Sequence, residues 1–71
     1  MLSEEERLIL LFLKQAPKSF FTATEIARRA AGRKRFEEDP RWAVPALLRL
    51  RDRKLVEMDA DGRYRLQTGA R

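Results

Sequence analysis

The sequence predicts a small, mainly α-helical domain closed by a β-hairpin. Two Ser/Thr-x-x-Glu capping boxes, Ser3 with Glu6 and Thr22 with Glu25, each open an apolar-periodic stretch. Asp39 before Pro40 supplies a third helix start, an N-cap followed by proline at the first helical position. Asp61-Gly62 separates two short strand-forming runs and supplies the positive φ that tight hairpins need. Three helices and a two-stranded hairpin are therefore expected in order over residues 1–67, with 68–71 as a frayed, flexible tail.

The first helix starts at the Ser3 cap, where Glu4, Glu5 and Glu6 also suit the positive end of the helix dipole. It should run to about Gln15, because Pro17 cannot continue it and restricts Ala16. Its apolar run Leu8-Ile9-Leu10-Leu11-Phe12-Leu13 goes right round the helix, which is more than one core-facing stripe requires. Later segments covering both sides, or a homodimer contact through this helix, would each account for the excess. Phe20 and Phe21 suit a brief strand or a core-anchoring loop. The second helix covers Ala23 to Ala31 with Gly32 as its stop, Ile26, Ala27 and Ala30 inward and Arg28 and Arg29 outward. The third should span Pro40 to Arg53, with Ala43, Ala46, Leu47 and Leu50 as the buried stripe, Arg49 and Arg53 outside it and Arg41 in the first turn. Pro45 falls inside that span and should remove a hydrogen bond or kink the axis. The hairpin pairs Leu55 to Met58 with Arg63 to Gln67 around Asp59-Ala60-Asp61-Gly62, and Tyr64 and Leu66 face the core while Arg63 and Arg65 face away.

Composition narrows the function before any motif does. With 71 residues there is room for one domain, and a chain of this size buries only about 60% of its unfolded surface. The absence of Cys and His removes disulfides, thiolate clusters, the commonest metal ligand and the usual base near neutrality. Ser3, Ser19, Thr22, Thr24 and Thr68 have no imidazole to activate them, so the expectation is a protein that is not an enzyme and uses no metal or cofactor. The apolar run from Leu8 to Leu13 is far shorter than the roughly 20 residues a membrane span needs. Glutamates stand where a secretory leader would carry positive charge, which points to a cytoplasmic protein.

The chain carries 16 Lys+Arg against 11 Asp+Glu, a net charge of +5, and all of the excess is central. Residues 28–54 hold ten basic side chains against four acidic ones, whereas the segments on either side are nearly balanced. A concentrated basic segment favours an anionic partner. Arg33, Lys34 and Arg35 repel one another unless an anion is present, although Glu37, Glu38 and Asp39 follow directly and could pair with them. Asp59 and Asp61 at the hairpin tip would repel a phosphate. Trp42 has two readings. Turned inward it is an ordinary core aromatic; exposed beside Val44 and Pro45, it would make the third helix an apolar docking surface with a basic rim.

The ordered elements resemble the winged helix-turn-helix family. The likeness runs from Ser3 to Leu66 and rests on Thr22-Ala23-Thr24-Glu25-Ile26-Ala27, on Leu47-x-x-Leu50 leading to Leu55-Val56, and on Asp61-Gly62-Arg63-Tyr64-Arg65-Leu66. It implies a three-helix winged helix-turn-helix fold and binding of double-stranded DNA in transcription regulation. The third helix would enter the major groove with Arg41 and Trp42 near the bases and Arg49 further along. Arg33, Lys34 and Arg35 would lie on the backbone, and Arg63 or Arg65 of the wing on phosphates. The chain departs from the family pattern in three ways. Lys54 stands where glycine is common and would have to adopt a left-handed conformation. The connection from Gly32 to Asp39 is longer than a helix-turn-helix usually has. Trp42 and Pro45 stand where polar base-reading side chains are expected. The alternative function is a protein-interaction module docking through the first helix or the Trp42 face.

Overall fold

The computed structural model describes residues 2–67, so the expected tail at 68–71 lies outside it. The chain is mainly helical with one antiparallel hairpin: α1 (Glu4–Lys14), α2 (Ala23–Ala30), α3 (Arg33–Glu38), α4 (Ala43–Asp52), β1 (Val56–Met58) and β2 (Tyr64–Leu66). No described helix is long and apolar enough to cross a membrane.

Both capping boxes form. The Glu6 amide donates to Ser3 Oγ at 3.1 Å while the Ser3 amide donates to the Glu6 carboxylate at 2.9 Å. Thr22 and Glu25 repeat the arrangement at the start of α2, with distances of 3.1 and 3.0 Å. Each box satisfies two amides that a helix start leaves without intrahelical partners.

Two boundaries differ from expectation. The segment between Gly32 and Asp39 is not an extended connection but the short helix α3, entered through Gly32 at φ 92°, where a side chain would be strained. Six residues with one apolar side chain, Phe36, carry no periodicity to read. The helix expected from Pro40 begins instead at Ala43. Asp39 accepts from the Arg41 amide at 3.2 Å and its carbonyl from Trp42 at 3.1 Å, so residues 40–42 form a turn. A start at Ala43 places Pro45 in the first helical turn, among the amides that have no intrahelical acceptor, and its missing N–H costs nothing there.

The core gathers Ile9 and Leu13 of α1, Ile26 and Ala27 of α2, Ala43, Ala46, Leu47 and Leu50 of α4, and Val56, Tyr64 and Trp42. The apolar excess of α1 is largely absorbed: Phe12 lies 4.9 Å from the Phe21 ring and Leu8 and Leu10 pack against the core, leaving Leu11 exposed. The hairpin register pairs Val56 with Leu66, Glu57 with Arg65 and Met58 with Tyr64. Its tip is held by Asp59, whose carboxylate accepts from the amides of Asp61 and Arg63, and by Gly62 at φ 81°. Phe21 adds a third short rung, exchanging both backbone hydrogen bonds with Tyr64 at 2.8 and 2.7 Å.

Helix α4 ends in a Schellman motif. The Leu55 amide donates to the Leu50 carbonyl at 2.9 Å and the Lys54 amide to Arg51 at 2.9 Å, with Lys54 left-handed at φ 63°. A non-glycine residue there costs about 1–2 kcal/mol, against about 0.5–1 kcal/mol for the extra backbone freedom of glycine in the unfolded chain. Lys54→Gly should therefore raise stability by about 0.5–1 kcal/mol, seen as a higher urea midpoint at unchanged slope. A lowered midpoint would contradict this account of the turn.

Candidate nucleic-acid interface

The basic residues from Arg28 to Arg65 fall into three groups according to where carboxylates lie, with exposed Arg51 and Lys54 at the end of α4 outside all three and without an ion-pair partner among the described residues. The first group faces α1. Arg35 of α3 donates to Glu5 at 2.8 Å and lies over the Trp42 ring, 5.0 Å from its centroid. Arg49 of α4 donates to Glu6 at 2.8 Å, and Arg53, one turn on, reaches the same carboxylate at 3.9 Å. Glu6 itself is only 4% exposed.

The second group belongs to the hairpin. Arg63 is held by Asp59 at 3.0 Å and Asp61 at 3.4 Å. Arg65 donates to Glu57 at 2.8 Å and stacks over Phe20 at 4.4 Å. Each guanidinium is thus turned onto a carboxylate of its own hairpin, and a phosphate arriving there would meet that carboxylate as well.

The third group lies where α2, α3 and the turn before α4 meet. Arg28 reaches over the Phe36 ring of α3, at 5.4 Å, so the end of α2 and α3 adjoin at the surface. The Trp42 indole N–H donates to the Ala27 carbonyl at 2.8 Å, which satisfies an acceptor in the last turn of α2 and clamps the turn carrying Arg41 against it. Arg28, Arg29, Lys34 and Arg41 are exposed and have no carboxylate partner among the described residues. Arg33 has one exposed contact, to Glu37 at 3.4 Å. At such exposure an ion pair contributes about 0–1 kcal/mol and gives way readily to another anion.

The residues singled out in the sequence therefore do not form one surface. Arg33 and Lys34 of α3 and Arg41 of the turn before α4 are exposed on elements that adjoin α2. Arg35 and Arg49 are turned to α1, and Arg63 and Arg65 to the hairpin carboxylates. Trp42, placed near the bases by resemblance, has its indole in the core at 6% exposure and presents no ring face to a base. Its burial likewise removes a Trp42 docking face. Arg28 and Arg29 join the third group without having been singled out as binding residues; their outward position on α2 was the signal for them. The outer face of α1 reads Glu4, Arg7, Leu11 and Lys14. No family model matches this sequence, and neither a curated protein nor a solved structure matches it.

Three of these carboxylates, Glu5, Glu6 and Asp59, are held ionised below the ordinary carboxylate range. The Ser3 amide, then the Arg49 hydrogen bond, lowers the Glu6 pKa from its ordinary 4.5, and burial opposes them without prevailing. Glu5 is lowered by its backbone hydrogen bond and then by Arg35, and Asp59 by the Arg63 amide first. A carboxyl whose folded pKa is depressed binds protons more readily in the unfolded chain. Its stabilising contribution is complete above the ordinary pKa and is lost as pH falls through the lowered folded value. Stability should hold from neutrality to about pH 5 and then decline, and Glu6→Gln should flatten that decline while lowering stability at pH 7. Urea unfolding across pH 2.5–7 tests this, and an acid limb equally steep in the variant would remove Glu6 from the account.

Proposed function

We propose that this chain is a winged helix-turn-helix domain that binds double-stranded DNA, acting in the cytoplasm as part of a transcriptional regulator. The observation that carries the proposal is the third group of cations. Arg28, Arg29, Lys34 and Arg41 sit on adjoining segments and form no side-chain ion pair among the described residues, as is also true of Arg51 and Lys54 at the end of α4, while Arg35, Arg49, Arg63 and Arg65 are paired; Glu37, Glu38 and Asp39 are the acids on those same segments. Arginine and lysine on adjoining helix ends suit a row of phosphates, and a guanidinium can grip one with two hydrogen bonds.

In this reading the α2–α3 corner rests on the DNA backbone and the start of α4 approaches the groove. Arg41, exposed at that start, is the one residue of the turn suited to a guanine edge. Backbone contacts dominate, so affinity is set mainly by counterion release.

A labelled duplex titrated at several ionic strengths tests the proposal. Log K should fall linearly with log salt, and replacing Arg29 or Lys34 by Ala should reduce the slope by about 0.9 for each phosphate that the variant leaves unneutralised. Arg63→Ala should leave the slope unchanged, because that guanidinium already serves Asp59 and Asp61. Absence of binding at low salt, or an affinity indifferent to salt, would overturn the reading.

A further inference from the structure

We infer that the outer face of α4, continued onto β1, is a docking surface for an acidic amphipathic segment of another protein. Among the described residues the exposed large apolar side chains are Leu11, Leu48 and Met58, and two of them lie on this face. Leu48 is 41% exposed, with exposed Pro45 and half-buried Val44 one turn before it on the same side of the helix. Arg51 follows Leu48 by three residues, and its Nη1 donates to the Met58 sulfur at 3.7 Å. The guanidinium thus links helix to strand, so the exposed Pro45 and Leu48 of α4 and the exposed Met58 of β1 lie on either side of Arg51.

Charge complementarity selects the occupant. Arg51 touches Met58 and Lys54 follows the end of α4; both are exposed and have no carboxylate partner among the described residues, and Asp52 is the acid beside them in sequence. Apolar positions at i, i+3 and i+4 on a partner helix would match Pro45, Leu48 and Met58, and acidic residues flanking them would meet Arg51 and Lys54. A duplex fits the apolar side chains of this face poorly, since base edges in the groove need hydrogen-bonding groups and Pro45, Leu48 and Met58 supply at most a weak sulfur acceptor, leaving Arg51 as the donor among them. The face is also distinct from the α2–α3 cations assigned to DNA, so the inference stands independently of that assignment.

The probe is a synthetic peptide with Leu and Phe on one helical face and Glu on the other, set beside a scrambled peptide of identical composition. Backbone and methyl NMR titration of the whole chain should show shifts confined to α4 and β1, and the scrambled peptide should bind at least tenfold more weakly. Leu48→Glu and Arg51→Glu should each weaken peptide binding at least tenfold. Both positions are exposed, and urea midpoints near that of the parent chain will establish that the variants fold. Duplex affinity should persist in Leu48→Glu. Equal binding of the scrambled peptide, shifts mapping to α1 or the α2–α3 corner, or undiminished binding by folded Leu48→Glu would overturn the inference. So would a loss of duplex affinity in folded Leu48→Glu, which would assign this face to nucleic acid.

Discussion

A carboxylate removed from water must be met by donors and by opposite charge, and Glu6 is the residue where that requirement shapes the molecule. At 4% exposure it accepts from the Ser3 amide and from Arg49, with Arg53 within ion-pair reach. One side chain therefore does three things. It completes the cap that starts α1, it ties that helix end to α4 across 43 residues of sequence, and it offsets one of the two positive charges that Arg49 and Arg53 bring to it. Glu5 likewise offsets the charge of Arg35, tying α1 to α3. Because Arg35 also covers the Trp42 ring, and Trp42 in turn caps α2, the glutamates at the start of α1 are connected to the placement of every other helix.

The same contacts explain why net charge alone misplaces the basic surface. A count over residues 28–54 treats all ten cations as equivalent. In the folded chain α1 supplies carboxylates to those on the inner flank of α3 and α4, and the hairpin supplies its own. What remains unneutralised is set by which side chains the fold leaves out of reach of an acid. The cations of that segment that stay without an ion pair among the described residues are Arg28, Arg29, Lys34 and Arg41 on the α2–α3 side and Arg51 and Lys54 at the end of α4.

Local chemistry was readable because its causes are local. Both capping boxes, the buried stripe of α4 and the Asp-Gly hairpin depend on residues within a few positions of one another, whereas the left-handed Lys54 was expected from the family resemblance alone. Helix α3 was not readable, because its stability comes from Phe36 and Arg35 packing under Arg28 and over Trp42 rather than from its own pattern. The start of α4 was misread for a related reason: Asp39-Pro40 signals a helix, yet Asp39 closes a turn first and Pro45 fits only if the helix begins late. The candidate site was legible in its residue types and not in its grouping. Contacts such as Arg35 with Glu5, 30 residues apart, decide which cations reach solvent unpaired, and nothing in their neighbourhoods announces them. Trp42 had two self-consistent positions on sequence grounds, and the acceptor that fixes it, the Ala27 carbonyl, belongs to a helix end.

Helix α4 meets three different surroundings, and this bears on how selective the proposed DNA contact can be. Ala43, Ala46, Leu47 and Leu50 face the core; Arg49 and Arg53 face Glu6; Pro45 and Leu48 face outward with Arg51 beside them. None of these faces carries the amides and hydroxyls that tell one base pair from another. Discrimination by direct contact would then rest on guanidinium groups, Arg41 at the helix start and Arg51 on the outward face, while the α2–α3 cations would meet phosphates and not base edges. A helix whose outward stripe is apolar is better matched to a protein side chain than to a groove edge. Under the two proposals the charged corner would supply affinity for a polyanion, and selectivity would come from the acidic segment docked on α4 and β1.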